Sequence, residues 1–166
     1  MYDRLTQSDI DKMQAEIDHR KLVVRPQILQ EVKEARAQGD LSENFEYYAA
    51  RKAKGENDRR IAYLEDMIKT AIVISDESGA DEVGMNKRVK VLIEGDAEAE
   101  EYKIVTSVRA DSLRNLITED SPLGKALMGH KAGETVHVQV NETVGYDAKI
   151  LEVHAAEDEE DEIKAF

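Results

Sequence analysis

The 166-residue chain is long enough for one or two domains with a sizeable core. Charged residues make up 36% of it, aromatic residues only 5%, and there is no tryptophan, a balance that disfavours a compact enzyme with a deep pocket. Without cysteine no disulfide can form, and no apolar run is long enough to span a bilayer. The N-terminal stretch does not read as a targeting segment, so the expectation is a soluble, cytoplasmic protein. The net charge of −13 argues at first against a nucleic-acid partner. Its distribution changes that. Residues 1–75 carry 13 basic and 14 acidic side chains, whereas residues 76–166 carry 10 and 22.

In chain order, residues 8 to about 38 predict one helix, with Ser8 or Asp9 as its cap. Apolar side chains recur at Ile10, Met13, Ile17, Val24, Ile28, Val32 and Ala35, a stripe along one helical face. Pro26 inside this run predicts a kink or a lost hydrogen bond. Gly39 is a natural helix stop. A second helix is expected from about Ser42 to Ala71, with a seam of Tyr47, Ala50, Lys54, Asn57, Ile61, Leu64 and Ile68. Joined by so short a turn, the two helices must lie antiparallel, forming a coiled-coil finger roughly 45 Å long. Its tip falls at 39–43.

Residues 76–86, acidic and rich in small side chains, predict a linker. Beyond it the period changes to two. KRVKVLI (87–93), EYKIVTS (101–107), ETVHVQV (134–140) and YDAKILEV (146–153) read as strands. Between them SPLGKALMG (121–129) reads as a short helix. The fold class is therefore α+β, an N-terminal antiparallel helical hairpin followed by a small antiparallel sheet with a helix, over 87–154. The acidic tail, 155–166, is expected to be disordered.

Two readings compete for the carboxylates of the tip. Asp40 with Glu43 has the spacing of a capping box, in which acids satisfy free N–H groups at a helix start, and Ser42 could take that role instead. Alternatively, Asp40 and Glu43 offer two hard oxygen ligands that suit Mg²⁺. Two are too few for a tight site, so this reading requires a partner to supply the rest. Behind the tip, Arg51, Lys52, Lys54, Arg59 and Arg60 face the region of Arg20, Lys21, Arg25 and Lys33. They form either a basic belt able to hold an RNA backbone or a set of ordinary i,i+4 ion pairs. The four histidines show no metal-ligand spacing.

The tip GDLSENFEY (39–47), followed by Ala49, Ala50 and Arg51, resembles the signature G-D-L-x-E-N-A-E-Y…A-A-R of the bacterial Gre transcript cleavage factors. RRIAYLEDMIKTAIVI (59–74), YKIVTSVRAD (102–111) and ITEDSPLGKALMG (117–129) are similar to that family's later motifs, in the same order. The resemblance implies a C-terminal domain of FKBP-like fold that docks on a β′ coiled coil at the RNA polymerase secondary channel, with Ser121, Pro122, Leu123, Gly124 and Lys125 as its docking motif. The finger would enter the channel towards the 3′ end of the nascent RNA, and Asp40 and Glu43 would help hold the polymerase's second catalytic Mg²⁺. Ser42, Asn44, Glu46 and Tyr47 would support the tip. It further implies a factor, expected to be monomeric, that stimulates the polymerase's hydrolysis of backtracked RNA and is not an enzyme by itself. The alternative within the same family is a regulator that occupies the channel without stimulating cleavage. Phe45 departs from the signature, which has alanine there, and Thr106, Arg109 and NETVGYDAKI (141–150) depart from the later motifs. The fold alone would also suggest a prolyl isomerase, but beyond residue 76 only Tyr102, Tyr146 and Phe166 could line its aromatic pocket.

Overall fold

The computed structural model describes residues 3–39, 44–75, 78–155 and 163–164. The chain divides into two compact units, Met1–Asp3 with Ser8–Ile72 and Arg4–Gln7 with Val73–Phe166.

The first unit is a helical hairpin. Helix α1 (Gln7–His19) passes through a π-helical turn (Arg20–Val24) into α2 (Arg25–Ala37), and α3 (Phe45–Thr70) returns. The disturbance expected at Pro26 takes the form of this π turn. Proline lacks an N–H, and its ring crowds the carbonyl four residues back. In the turn just before it the Arg25 N–H reaches the Arg20 carbonyl, five residues back, so the chain widens where the ring needs room. Met13, Ile17, Ile28 and Ala35 are buried, as the stripe predicts. On α3 the buried line is Tyr47, Ala50, Asn57, Ile61, Leu64 and Met67. Two seam positions differ from the expectation. Lys54 turns outward to Asp58 at 3.0 Å, and Met67 takes the buried place assigned to Ile68.

Across the middle of the hairpin the helices are joined by polar groups. Asn57, 3% exposed, accepts from the Arg20 guanidinium at 3.0 Å and donates to the Arg20 carbonyl at 3.3 Å. Glu16 receives Arg20 Nε at 2.8 Å, Arg60 Nε at 2.7 Å and Arg60 Nη2 at 3.1 Å. Glu16 against Arg60, Arg20 against Asn57 and Ala35 against Asn44 fix the antiparallel register. Buried polar groups at such a seam specify alignment, and removing one partner leaves the other buried and uncompensated.

In the second unit β1 (Arg4–Thr6) and β2 (Ile72–Ile74) pair as a two-stranded ribbon. A five-stranded sheet follows, ordered β5-β4-β3-β7-β6, from β3 (Lys87–Ile93), β4 (Glu100–Val105), β5 (Leu116–Thr118), β6 (Thr135–Gln139) and β7 (Gly145–Ala155). The sheet is mixed rather than antiparallel throughout. β4 and β5 pair in parallel, joined by a crossover that holds two 3₁₀ turns, Ser107–Arg109 and Ser112–Arg114. Val89, Val91, Ile104, Val138 and Ile150 make the core with Leu127 of the short helix α4 (Pro122–Leu127). The stretch read as a linker contributes to that core. Val83 and Met85 are buried in it, and the Val83 N–H donates to the His130 carbonyl at 2.8 Å. Most of the acidic tail lies outside the described residues, but the Lys164 N–H donates to the Val108 carbonyl at 2.8 Å.

Candidate functional site

Helix α2 ends where its sequence says it should. The Gln38 N–H donates to the Ala35 carbonyl at 3.2 Å, and Gly39 takes φ +108°, a conformation that favours glycine. The return helix starts later than expected. Its cap is Asn44, whose side-chain oxygen accepts from the Tyr47 N–H at 3.0 Å. The Asn44 amide also donates to the Ala35 carbonyl at 2.6 Å, so one side chain both caps α3 and ties it to the end of α2. Asp40, Ser42 and Glu43 lie outside the described residues.

Below the cap, Tyr47 is buried, and the Arg36 guanidinium stands 5.6 Å from its ring centre. The Arg36 side chain, with Arg51 behind it, holds the Tyr47 phenol below its usual range. Glu46 is exposed in the first turn of α3, where an acid is favoured by the helix dipole. A cleft of about 350 Å³ runs along the hairpin here, lined by Glu31, Glu34, Gln38, Glu46 and Ala49. Replacing Asn44 with alanine removes the cap and the tie together. The expected loss is about 1–2 kcal/mol of hairpin stability, read as faster amide exchange at Tyr47 and a lower melting temperature. Unchanged exchange there would show that the cap is dispensable.

The basic belt is only partly assembled. Arg60 leaves it, being 7% exposed and bound to Glu16, with its guanidinium 5.5 Å from the Tyr63 ring centre. Lys52 lies 3.9 Å from Glu56 and Lys54 3.0 Å from Asp58, both exposed i,i+4 pairs of little strength. Arg25 reaches the same Asp58 at 3.4 Å, and Lys21 meets Glu65 at 2.7 Å. Lys54, then Arg25, hold the Asp58 carboxyl below its usual range. Arg51 and Arg59 are exposed. Sequence reasoning missed Glu16 and Arg36. The i,i+4 pairing of Glu16 with Arg20 is visible in the sequence, but its cross-hairpin bond to Arg60 is not.

In the second unit the motif Ser121–Lys125 is first of all a helix start. Ser121 Oγ accepts from the Gly124 N–H at 3.1 Å and donates to the Thr118 carbonyl at 2.7 Å, with Pro122 in the first turn. Leu123 and Gly124 are buried, and Pro122 and Lys125 are exposed. Among the described residues no group of three or more His, Asp or Glu could hold a metal ion, and no helix is long and apolar enough to cross a membrane.

The pattern described as "Transcription elongation factor, N-terminal" matches residues 4–73, and "Transcription elongation factor, GreA/GreB, C-term" matches 68–155. The chain belongs to the GreA/GreB family of transcription elongation factors. It is 44% identical over 150 residues to the transcription elongation factor GreA of Caldanaerobacter subterraneus subsp. tengcongensis, covering 90% of this chain and 95% of that one. It is 42% identical over 151 residues to the GreA of Mesoplasma florum, covering 90% and 96%. Among solved structures, the GreA factor homolog 1 of Thermus thermophilus is 20% identical with a TM-score of 0.43, covering 93% of this chain and 100% of that one. In GreA/GreB terms, Asn44, Glu46 and Tyr47 lie within the N-terminal match and Ser121–Lys125 within the C-terminal one.

Proposed function

We propose that this GreA/GreB family member is a transcript cleavage factor. Its hairpin enters the secondary channel of RNA polymerase and stimulates the polymerase's own hydrolysis of backtracked RNA. The observation that carries this reading is the Asn44 cap. Asn44 takes the cap position of α3 and accepts from the Tyr47 N–H, so α3 has a cap other than Asp40, Ser42 or Glu43, which favours the second reading of the tip carboxylates. Membership of the GreA/GreB family supports the rest of the reading.

Asp40 and Glu43 are hard oxygen donors of the kind Mg²⁺ prefers, and two of them suffice only where a partner completes the shell. A Mg²⁺ completed by the partner would supply charge stabilisation for phosphate hydrolysis, and Asp40 and Glu43 are the residues of this chain that would hold it. This chain's own part is to lend the two carboxylates, one to the metal and one to orient water. Asn44 and the buried Tyr47 hold the base of the tip firm while this happens. Arg51, Lys52 and Arg59 present positive charge to the RNA backbone, with Lys54 beside them. The second unit docks on the β′ coiled coil, offering Pro122 and Lys125 as the exposed members of its motif.

The test is RNA cleavage in a stalled, backtracked elongation complex with matched polymerase. The wild-type chain is expected to release a 3′ fragment. Asp40→Ala with Glu43→Ala should bind polymerase equally and return cleavage to the rate of polymerase alone. Binding without cleavage by the wild type would instead make the chain a channel-occupying regulator.

A further inference from the structure

The first turns of α3 carry a feature that the tip acids do not use. Phe45 is 85% exposed and Tyr48 50% exposed, three residues apart on one helical face, and Lys52 continues that face one turn on. Single exposed apolar side chains are ordinary on protein surfaces. Two aromatic rings aligned with a cation are a more specific arrangement. Tyr48 is held in place from behind, its ring meeting the buried Tyr47 edge-on at 5.7 Å and 61°. The Lys52 ammonium, 3.9 Å from Glu56 and mostly exposed, is only weakly engaged. Phe45 also stands close to Glu43 by covalent necessity. Only Asn44 separates them in the chain, which limits their Cα atoms to about 7 Å apart in any conformation.

We propose that Phe45 and Tyr48 form an aromatic step on which a nucleobase of the extruded RNA 3′ segment stacks, with Lys52 and Arg51 alongside its backbone. The inference rests on the cleavage-factor reading, because that reading brings the tip to the RNA. Flat rings with cations beside them are the chemistry that receives unpaired nucleotides, since every base has a face to stack and every linkage carries a charge. Tyr48 alone offers half of this surface. Phe45, which departs from the alanine of the signature, completes it. The step acts on nucleotides 3′ of the bond to be cut, so it positions RNA and has no part in the chemistry.

The experiment uses the full chain with Asp40→Ala and Glu43→Ala, so that the RNA stays uncut, bound to a backtracked complex whose RNA ends in 2-aminopurine. Stacking quenches that base. Quenching is expected with Phe45 and with Phe45→Trp, and is expected to be lost with Phe45→Leu and Phe45→Ala. The half-saturating concentration of the factor should rise about five- to tenfold for Phe45→Ala. In the cleavage-competent chain, the same two variants should lessen any preference for purine over pyrimidine 3′ ends. If Phe45→Leu matches the wild type while Phe45→Ala does not, an apolar protein surface occupies the site and the proposal falls. It falls equally if all four residues give the same signal. Failure of the wild type to bind the complex at all, or to stimulate cleavage, counts against the cleavage-factor reading itself and is scored separately.

Discussion

Gly124→Ala is expected to destabilise the C-terminal unit by about 3 kcal/mol or more. A Cβ built on Gly124 would lie 2.0 Å from the Thr118 carbonyl oxygen and 2.8 Å from Ser121 Oγ. Neither neighbour can easily yield. The Thr118 carbonyl accepts from both the Ser121 hydroxyl at 2.7 Å and the Ser121 N–H at 3.2 Å. Thr118 is also the last residue of β5, paired with Val105. Relieving the clash means moving α4 off the sheet, and with it Leu123 and Leu127, which are buried in the core. Denaturant unfolding of the full chain, followed by amide exchange in β4 and β5, would show the loss. An unchanged midpoint with intact protection at Val105 would mean that the close approach does not exist in solution. The same result bears on the proposed docking motif. Gly124 is required by packing alone, so loss of polymerase binding in this variant would not identify it as a contact residue. Lys125→Ala, on the exposed side, is the cleaner probe.

Glu16→Ala is expected to loosen the hairpin by about 2 kcal/mol, less than for a fully buried pair because the Glu16 side chain is 27% exposed. Without Glu16, Arg60 is left 7% exposed and short of its strongest partner, and Arg20 loses one of its bonds. The Arg60 bond is the main reason the Glu16 carboxyl titrates below the usual carboxylate range, against a burial that would raise it. A carboxyl depressed in the folded state contributes stability that is fully present above its unfolded value and is lost as pH falls through the folded one. Wild type and Glu16→Gln should therefore differ in melting temperature near neutral pH and converge as the pH drops below about 4.5. Asp58 is shifted in the same direction by Lys54, so the wild type alone loses stability for more than one reason. The difference between the two proteins isolates Glu16. A gap that stays constant down to pH 3 would show that the pair contributes through packing and not through charge.

The hairpin is readable in the sequence because long amphipathic periods and a stop glycine are local signals. Its return point is less so. Ser42 has the chemistry of a cap, but the cap of α3 is Asn44, whose amide also reaches Ala35 on the other helix, a bond that no local pattern encodes. Arg60 reads as one more surface cation until Glu16, 44 residues away in the chain, is placed against it. In the second unit β3 and β6 bury alternate residues, as a period of two predicts, whereas β4 buries Lys103, Ile104 and Val105 in succession. The strands β1, β2 and β5 have three residues each, too few to show a period, and the parallel pairing of β5 depends on a crossover whose direction is not written in its residues. Val83 and Met85 were hidden by acidic neighbours, where composition outweighs two apolar side chains. At the tip, Asp40 and Glu43 draw their proposed role from a partner, so their spacing alone leaves capping and metal binding open.

Pairing β1 with β2 gives the finger a particular genealogy. Residues Arg4–Gln7 and Val73 onward belong to the same unit, so the hairpin between them is a single excursion that leaves one strand of a ribbon and returns on the other. Such an inserted element can be exchanged between proteins as a cassette, or shortened by removing equal lengths from α2 and α3, without disturbing the ends that receive it. The length of the finger can then vary separately from the rest of the second unit. Selection can lengthen, shorten or re-tip it while the receiving ribbon and the five-stranded sheet stay as they are.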